Sequence, residues 1–204
     1  MIDASMLLND IVITSLRVLV WTLLSWVLGV GIGFACYRNK IFGILAMPVV
    51  NFIRHISPFC WLPLIILAAG IGEVSVGITL LISLTFHAVI VSLEMLRSLP
   101  RIVLEQARLD GASGWALFSQ IELPVCISGI VDIFRVLWGV GWSVVIAAEM
   151  LGVSSGMGYR LLDFRYLLRY KEMLVYIVII GCIGIGTDYL LKRLKSVTEL
   201  RTYA

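Results

Sequence analysis

RSLPRIVLEQARLDGASGWALFSQIELP, residues 97–124, is the only long polar stretch between the apolar runs of this chain. Residues 76–96 before it and 124–150 after it are each apolar over the roughly 20 residues that a bilayer crossing requires. The stretch therefore reads as a water-exposed connection between two membrane helices. Pro100 suits a helix start, and Val103, Leu104 and Ala107 recur at helical spacing. Gly111 would cost about 1 kcal/mol inside a helix, so it marks a bend. Ser113 is placed to cap a second short helix on which Trp115 and Phe118 share a face. Leu123-Pro124 closes the segment. An amphipathic helix-turn-helix of this kind suits a groove on a soluble partner.

Further spans lie at 11–35, interrupted by Arg17, at 56–72, opened by Ser57-Pro58 and containing Pro63, and at 173–191. Residues 41–57 and 151–172 read as re-entrant or interfacial. The composition agrees: 60% hydrophobic and 14% charged residues, against about 25% charged in soluble domains, with a mean hydropathy of +1.02. The expected fold is an all-α membrane protein of about five transmembrane helices, a single transmembrane domain over 1–204 with 97–124 as a cytoplasmic loop. The first apolar run is too long for a signal peptide's apolar core and reads as a retained helix. Cationic residues cluster at Arg38, Lys40 and Arg54, at Arg97, Arg101 and Arg108, and at Lys192, Arg193, Lys195 and Arg201. That bias predicts an outer N-terminus and a cytoplasmic C-terminus; the basic segment 151–172 runs against it. A net charge of +3 without a basic-aromatic stripe gives no sign of nucleic-acid binding. Cys36, Cys60, Cys126 and Cys182 lack metal or disulfide spacing and read as packing residues.

Several polar residues inside the spans are candidates for function. Arg135, near the middle of the fourth span, costs about 2.5–3.5 kcal/mol to insert. It is expected either on a translocation path or paired with Asp132, Glu94 or a backbone carbonyl. Glu149 is expected at an outer gate or binding-protein surface, or simply hydrated. Arg17 is placed to snorkel, His87 to pack as a hydrogen-bonded residue, and Asp188 to pair with Lys192 one turn on. Gly152-Val153-Ser154-Ser155-Gly156 matches a nucleophile-elbow pattern, but after a membrane helix and away from either histidine it reads as a turn. No catalytic residue and no metal-ligand set is expected.

The 97–124 stretch resembles the EAA loop of type I ABC importer permeases, E-A-A, three residues, G, nine residues, I-x-L-P. Here it is Glu105-Gln106-Ala107, Gly111 and Ile121-Glu122-Leu123-Pro124, with Gln106 departing from the pattern. His55-Ile56-Ser57-Pro58, Trp61-Leu62-Pro63-Leu64 and Gly70-Ile71-Gly72-Glu73 are similar to runs of the nitrate/sulfonate/taurine/bicarbonate subfamily. So are Ala148-Glu149-Met150-Leu151-Gly152 and Ser155-Gly156-Met157-Gly158-Tyr159. The resemblance implies an inner-membrane permease whose Glu105, Ala107, Gly111, Ile121, Leu123 and Pro124 form the coupling helix docked on an ATPase subunit. It implies two ATPases, a second permease chain, expected to be an identical copy, and an extracytoplasmic solute-binding protein. ATP would be bound by the partner, so no cofactor is expected here, in keeping with the lack of a G-x-x-x-x-G-K-[ST] phosphate loop. The implied solute is an oxyanion such as sulfonate, nitrate or bicarbonate. Arg135, Glu149 and Glu94 are the candidates for the translocation path. The competing reading, an ATP-independent secondary transporter or channel subunit, would want more acidic or histidine residues within spans than Glu94 and His87.

Overall fold

The computed structural model describes residues 3–202, and side chains for the same residues except 101 and 194–202. The side chains of Arg101, Lys195 and Arg201, counted above towards orientation, lie outside the described residues. Every described element is helical: α1 (Ala4–Arg38), α2 (Lys40–His55), α3 (Pro58–Ala69), α4 (Glu73–Arg97), α5 (Arg101–Leu109), α6 (Gly114–Leu117), α7 (Leu123–Gly152), α8 (Met157–Tyr166) and α9 (Tyr170–Thr202). Phe118–Glu122, between α6 and α7, is one widened π turn.

The core is α1 packed between α4 and α7. The buried face of α1 is mostly polar or small, with Asp10, Thr14, Arg17, Thr22, Ser25, Gly29 and Gly33 recurring every three to five residues around the buried Val18. Many of its other Leu and Val residues, such as Leu16, Val20 and Val27, are exposed, as lipid permits. Gly29 and Gly33 lie four apart against Ala88 and Ser92 of α4, where any Cβ would overlap the neighbouring helix. Small residues at this spacing let two membrane helices approach closely without a hydrophobic driving force.

Among the described residues, four helical stretches are long and apolar enough to cross a bilayer: 4–38, 73–97, 114–152 and 170–193. The expected span at 56–72 is corrected. Pro58–Ala69 has 12 residues, about 18 Å of helix, short of the roughly 30 Å hydrocarbon layer. It is instead the second half of a bent pair: α2 and α3 meet at 95° around Ile56-Ser57, where proline opens the second helix, and by length and composition the pair is a broken span or a re-entrant loop. Arg54 and His55 thus stand at the break between its halves, not in a loop with Arg38 and Lys40. The basic segment 151–172 folds as α8, a turn and the start of α9, and two of its four cations are ion-paired, Arg160 with Asp10 of α1 and Asp163, and Arg169 with Glu172.

Candidate functional site

The 97–124 loop folds as two helices meeting at a bend. Gly111 has φ +90° and Gly114 φ +56°, in the left-handed region that favours glycine. The Ala112 amide donates to the Ala107 carbonyl at 2.9 Å and closes the first helix. Ser113 occupies the capping position of α6 without a side-chain cap bond; its carbonyl accepts from Ala116 at 3.1 Å instead. Trp115 and Phe118 stack at 5.1 Å, as their spacing predicts. Pro124 does not end the second helix, which runs unbroken from Gly114 to Gly152. Proline has no N–H to donate and its ring displaces the carbonyl one turn back; the π turn just before it takes up the mismatch.

The second half of the loop is therefore continuous with α7, and it also grips α1. Phe34 packs edge-on against Phe118 at 5.4 Å, the Arg38 guanidinium lies over the same ring, and Arg38 Nη2 donates to the Gly114 carbonyl at 3.0 Å. Of the expected coupling residues, Ala107 is buried, Ile121 and Leu123 half-buried, and Glu105, Gly111 and Pro124 exposed. Ile102, Leu109 and Trp115 present large apolar side chains to the surroundings.

The opposite end of the bundle holds a charge cluster that sequence reasoning placed wrongly. Arg17 does not snorkel: it is 5% exposed and inserts between two carboxylates. Its Nη1 donates to Glu149 Oε1 at 2.6 Å and its Nε to Glu73 Oε2 at 2.7 Å; Nη2 also bonds Glu73. The Ser155 carbonyl and hydroxyl accept two further bonds from it at 2.9 and 2.8 Å. Glu149 is fully buried rather than hydrated, and it also accepts from Thr14 Oγ1 at 3.0 Å and the Gly158 amide at 2.9 Å. Glu73 keeps a largely exposed side chain (65%). The G-x-S-x-G stretch is the turn that supplies Ser155 to Arg17. His55 and His87 bond the carbonyls of Asn51 and Ser83 on their own helices instead. Gly156, at φ +98°, lies where a Cβ would strike Glu149 and Arg17.

A second buried pair joins the same end. Asp10, 2% exposed, accepts from Arg160 Nε at 3.2 Å and from the Tyr176 hydroxyl at 3.0 Å. Burial disfavours the charged Arg160, but the Asp10 carboxylate more than offsets this and holds the guanidinium above its ordinary value. None of these charge pairs was legible, because their partners sit 56 to 150 residues apart. The signal that could have found them was the balance of Arg17, Glu73 and Glu149, opposite charges at the same end of three different spans.

Arg135 feels the Asp132 carboxylate electrostatically, one of the interactions expected, but its hydrogen-bonded ion pair is with Asp188. Its Nε donates to Asp188 Oδ1 on α9 at 2.6 Å, and Asp188 also bonds Lys192 at 3.3 Å, the one-turn pair the spacing predicts. Arg135 and Asp188 are 34% and 41% exposed beside an open cavity of about 550 Å³ that Asp132 and Gly139 also line. Glu94 is exposed one turn from the loop end of α4, and Glu149 lies 14 residues, about 21 Å, along α7 from Arg135. The structure does not bring these three together.

The comparisons agree with this geometry. A probable ABC transporter permease protein of Brucella melitensis biotype 1 is 29% identical over 186 residues, covering 91% of this chain and 76% of that protein. The taurine transport system permease protein of Escherichia coli K12 is 25% identical over 167 residues, covering 82% and 61%. Among solved structures, the inward-facing MetNI methionine ABC transporter aligns with a TM-score of 0.84 at 18% identity, over 95% of this chain and 96% of that one, a likeness of fold. Residues 27–197 match the family described as binding-protein-dependent transport system inner membrane component, and the chain belongs to that family.

Proposed function

We propose that this chain forms, with a second copy of itself, the membrane route for a small oxyanion such as a sulfonate, nitrate or bicarbonate. A separate ATPase dimer docks on the 97–124 loops and an extracytoplasmic binding protein delivers the solute. The loop end is then cytoplasmic, with the N-terminus outside. The observation that carries this reading is the loop itself. It presents Ile102, Leu109 and Trp115 outward, while Gly114–Gly152 makes it continuous with the longest span. Movement of a partner bound there is transmitted to α7 directly and to α1 through Phe118 and Arg38. Energy enters as differential affinity for two arrangements of the bundle, so this chain requires no catalytic group.

The α7–α9 face supports the rest. Charges at mid-span avoid lipid at a cost of about 2.5–3.5 kcal/mol each, so the half-exposed Arg135 and Asp188 face water or a second permease chain. The span of α9 is almost wholly unpacked within one chain. Arg135 accordingly lines the route, whereas the enclosed Glu149 tethers helices. Similarity to a taurine permease supports an acidic solute.

The test is uptake of radiolabelled taurine by proteoliposomes holding this chain, its ATPase and its binding protein. Uptake is expected only with internal-face ATP and all components present. Uptake that ignores ATP but follows an imposed ion gradient would replace the proposal with a secondary transporter.

A further inference from the structure

A cavity of about 170 Å³ lies at the break between α2 and α3. Arg54 from the end of α2, Pro58 and Trp61 from the start of α3, and Ser83 and His87 from α4 form its polar side, with apolar residues of α4 and α7 opposite. His87 is about 15 Å along α4 from Arg97 and about 21 Å from Glu73, so the cavity sits near mid-membrane.

Its chemistry is one-sided. No carboxylate lines it, and among the described residues Arg54 has no carboxylate partner. The Trp61 Nε1–H is buried without an acceptor, a state that costs about 1–3 kcal/mol; it is closed to a water-sized probe, so an oxygen in the recess reaches it only when the indole turns. The Ser83 hydroxyl donates to the Thr79 carbonyl at 2.8 Å, and His87 Nδ1 lies 3.1 Å from the Ser83 carbonyl, which leaves Nε2 as the ring's remaining polar edge. The start of the 12-residue α3 adds the positive end of a helix dipole. Half-helix N-termini at a broken mid-membrane helix are a physically favourable place for an acidic group. Arg135, by contrast, is already neutralised by Asp188, and an anion there would have to displace that carboxylate.

We infer that this recess binds the acidic head of the solute, with the Arg54 guanidinium as the first donor to its oxygens and the Trp61 indole N–H as a second once its ring turns towards them. The inference rests on the anionic-solute reading above. Arg54 and Trp61 select for the oxyanion, and the apolar wall from α4 and α7 accepts a short alkyl group.

The full chain in lipid nanodiscs is titrated with methanesulfonate, nitrate and bicarbonate at constant ionic strength, and saturable thermal stabilisation is read as binding. At least one anion is expected to bind. Arg54→Gln is expected to weaken that binding about tenfold or more and Trp61→Phe by a few-fold, as lost charged and neutral hydrogen bonds do. Arg165→Gln, at an exposed cation of α8, should leave it within about twofold. Saturable binding that survives both Arg54→Gln and Trp61→Phe, each as well folded as the parent by size exclusion, overturns the recess and leaves the anionic reading standing. No saturable binding of any of the three anions overturns both.

Discussion

Arg17 shows how much can rest on one side chain. Breaking a buried ion pair by removing one partner typically costs about 3–5 kcal/mol, because a charge is left buried and unpaired. Arg17→Met strands the fully buried Glu149, so the variant is expected to lose most of its monodisperse protein or to melt many degrees lower. Glu73→Gln removes a carboxylate that is 65% exposed and should cost no more than about 1 kcal/mol. Thermal unfolding in detergent separates the two; equal losses would mean that the cluster does not hold this end of the bundle. Gly156→Ala meets both a left-handed backbone and the Glu149–Arg17 pair, and is expected to destabilise by about 1–3 kcal/mol in the same assay. At this scale the sequence was least informative. A charged residue in an apolar run announces that it is paired or hydrated, but hydropathy does not say with what. Arg135 was expected on a translocation path or paired with Asp132, Glu94 or a backbone carbonyl; Asp132 does act on it electrostatically, but its hydrogen-bonded partner is Asp188 on α9.

At the scale of elements, long apolar runs were readable because period and length alone identify a lipid-facing helix. The runs at 11–35, 76–96, 124–150 and 173–191 all fall inside structural spans. The α2–α3 pair was half readable: 41–57 read as re-entrant or interfacial and Ser57-Pro58 as a helix start, but neither half is long enough alone to span and the 95° break was not foreseen. The loop's bend at Gly111 was legible from glycine, whereas its fusion to α7 was hidden by Pro124, which usually ends a helix and here is absorbed by a π turn. The α1–α4 contact gives a direct test of element packing. Gly33→Leu has no room against Ser92, while Gly31→Leu enters open space on the same helix. Gly33→Leu is expected to abolish a single peak in fluorescence-detected size exclusion, and Gly31→Leu to leave it unchanged. Equal profiles would mean that the two helices do not pack through this glycine face.

Across the whole molecule, the two ends of the bundle are built differently. One end is tied by the buried Arg17–Glu149 and Asp10–Arg160 pairs across α1, α4, α7 and α8. The other end is a loop held mainly by Phe34, Arg38 and the continuity of α7. Such a body is expected to move as a unit when its loop is pulled, which is what a partner-driven transporter needs. The measurement that tests this most directly is affinity purification of the tagged chain from its own host in mild detergent, with quantitative mass spectrometry of what accompanies it. An ATPase carrying a phosphate loop is expected in equal proportion with the parent chain. It is expected to be lost from Leu109→Asp and Trp115→Asp, whose exposed side chains leave the bundle intact. A chain that purifies alone with and without nucleotide, or an ATPase that stays bound to both variants, would contradict the account.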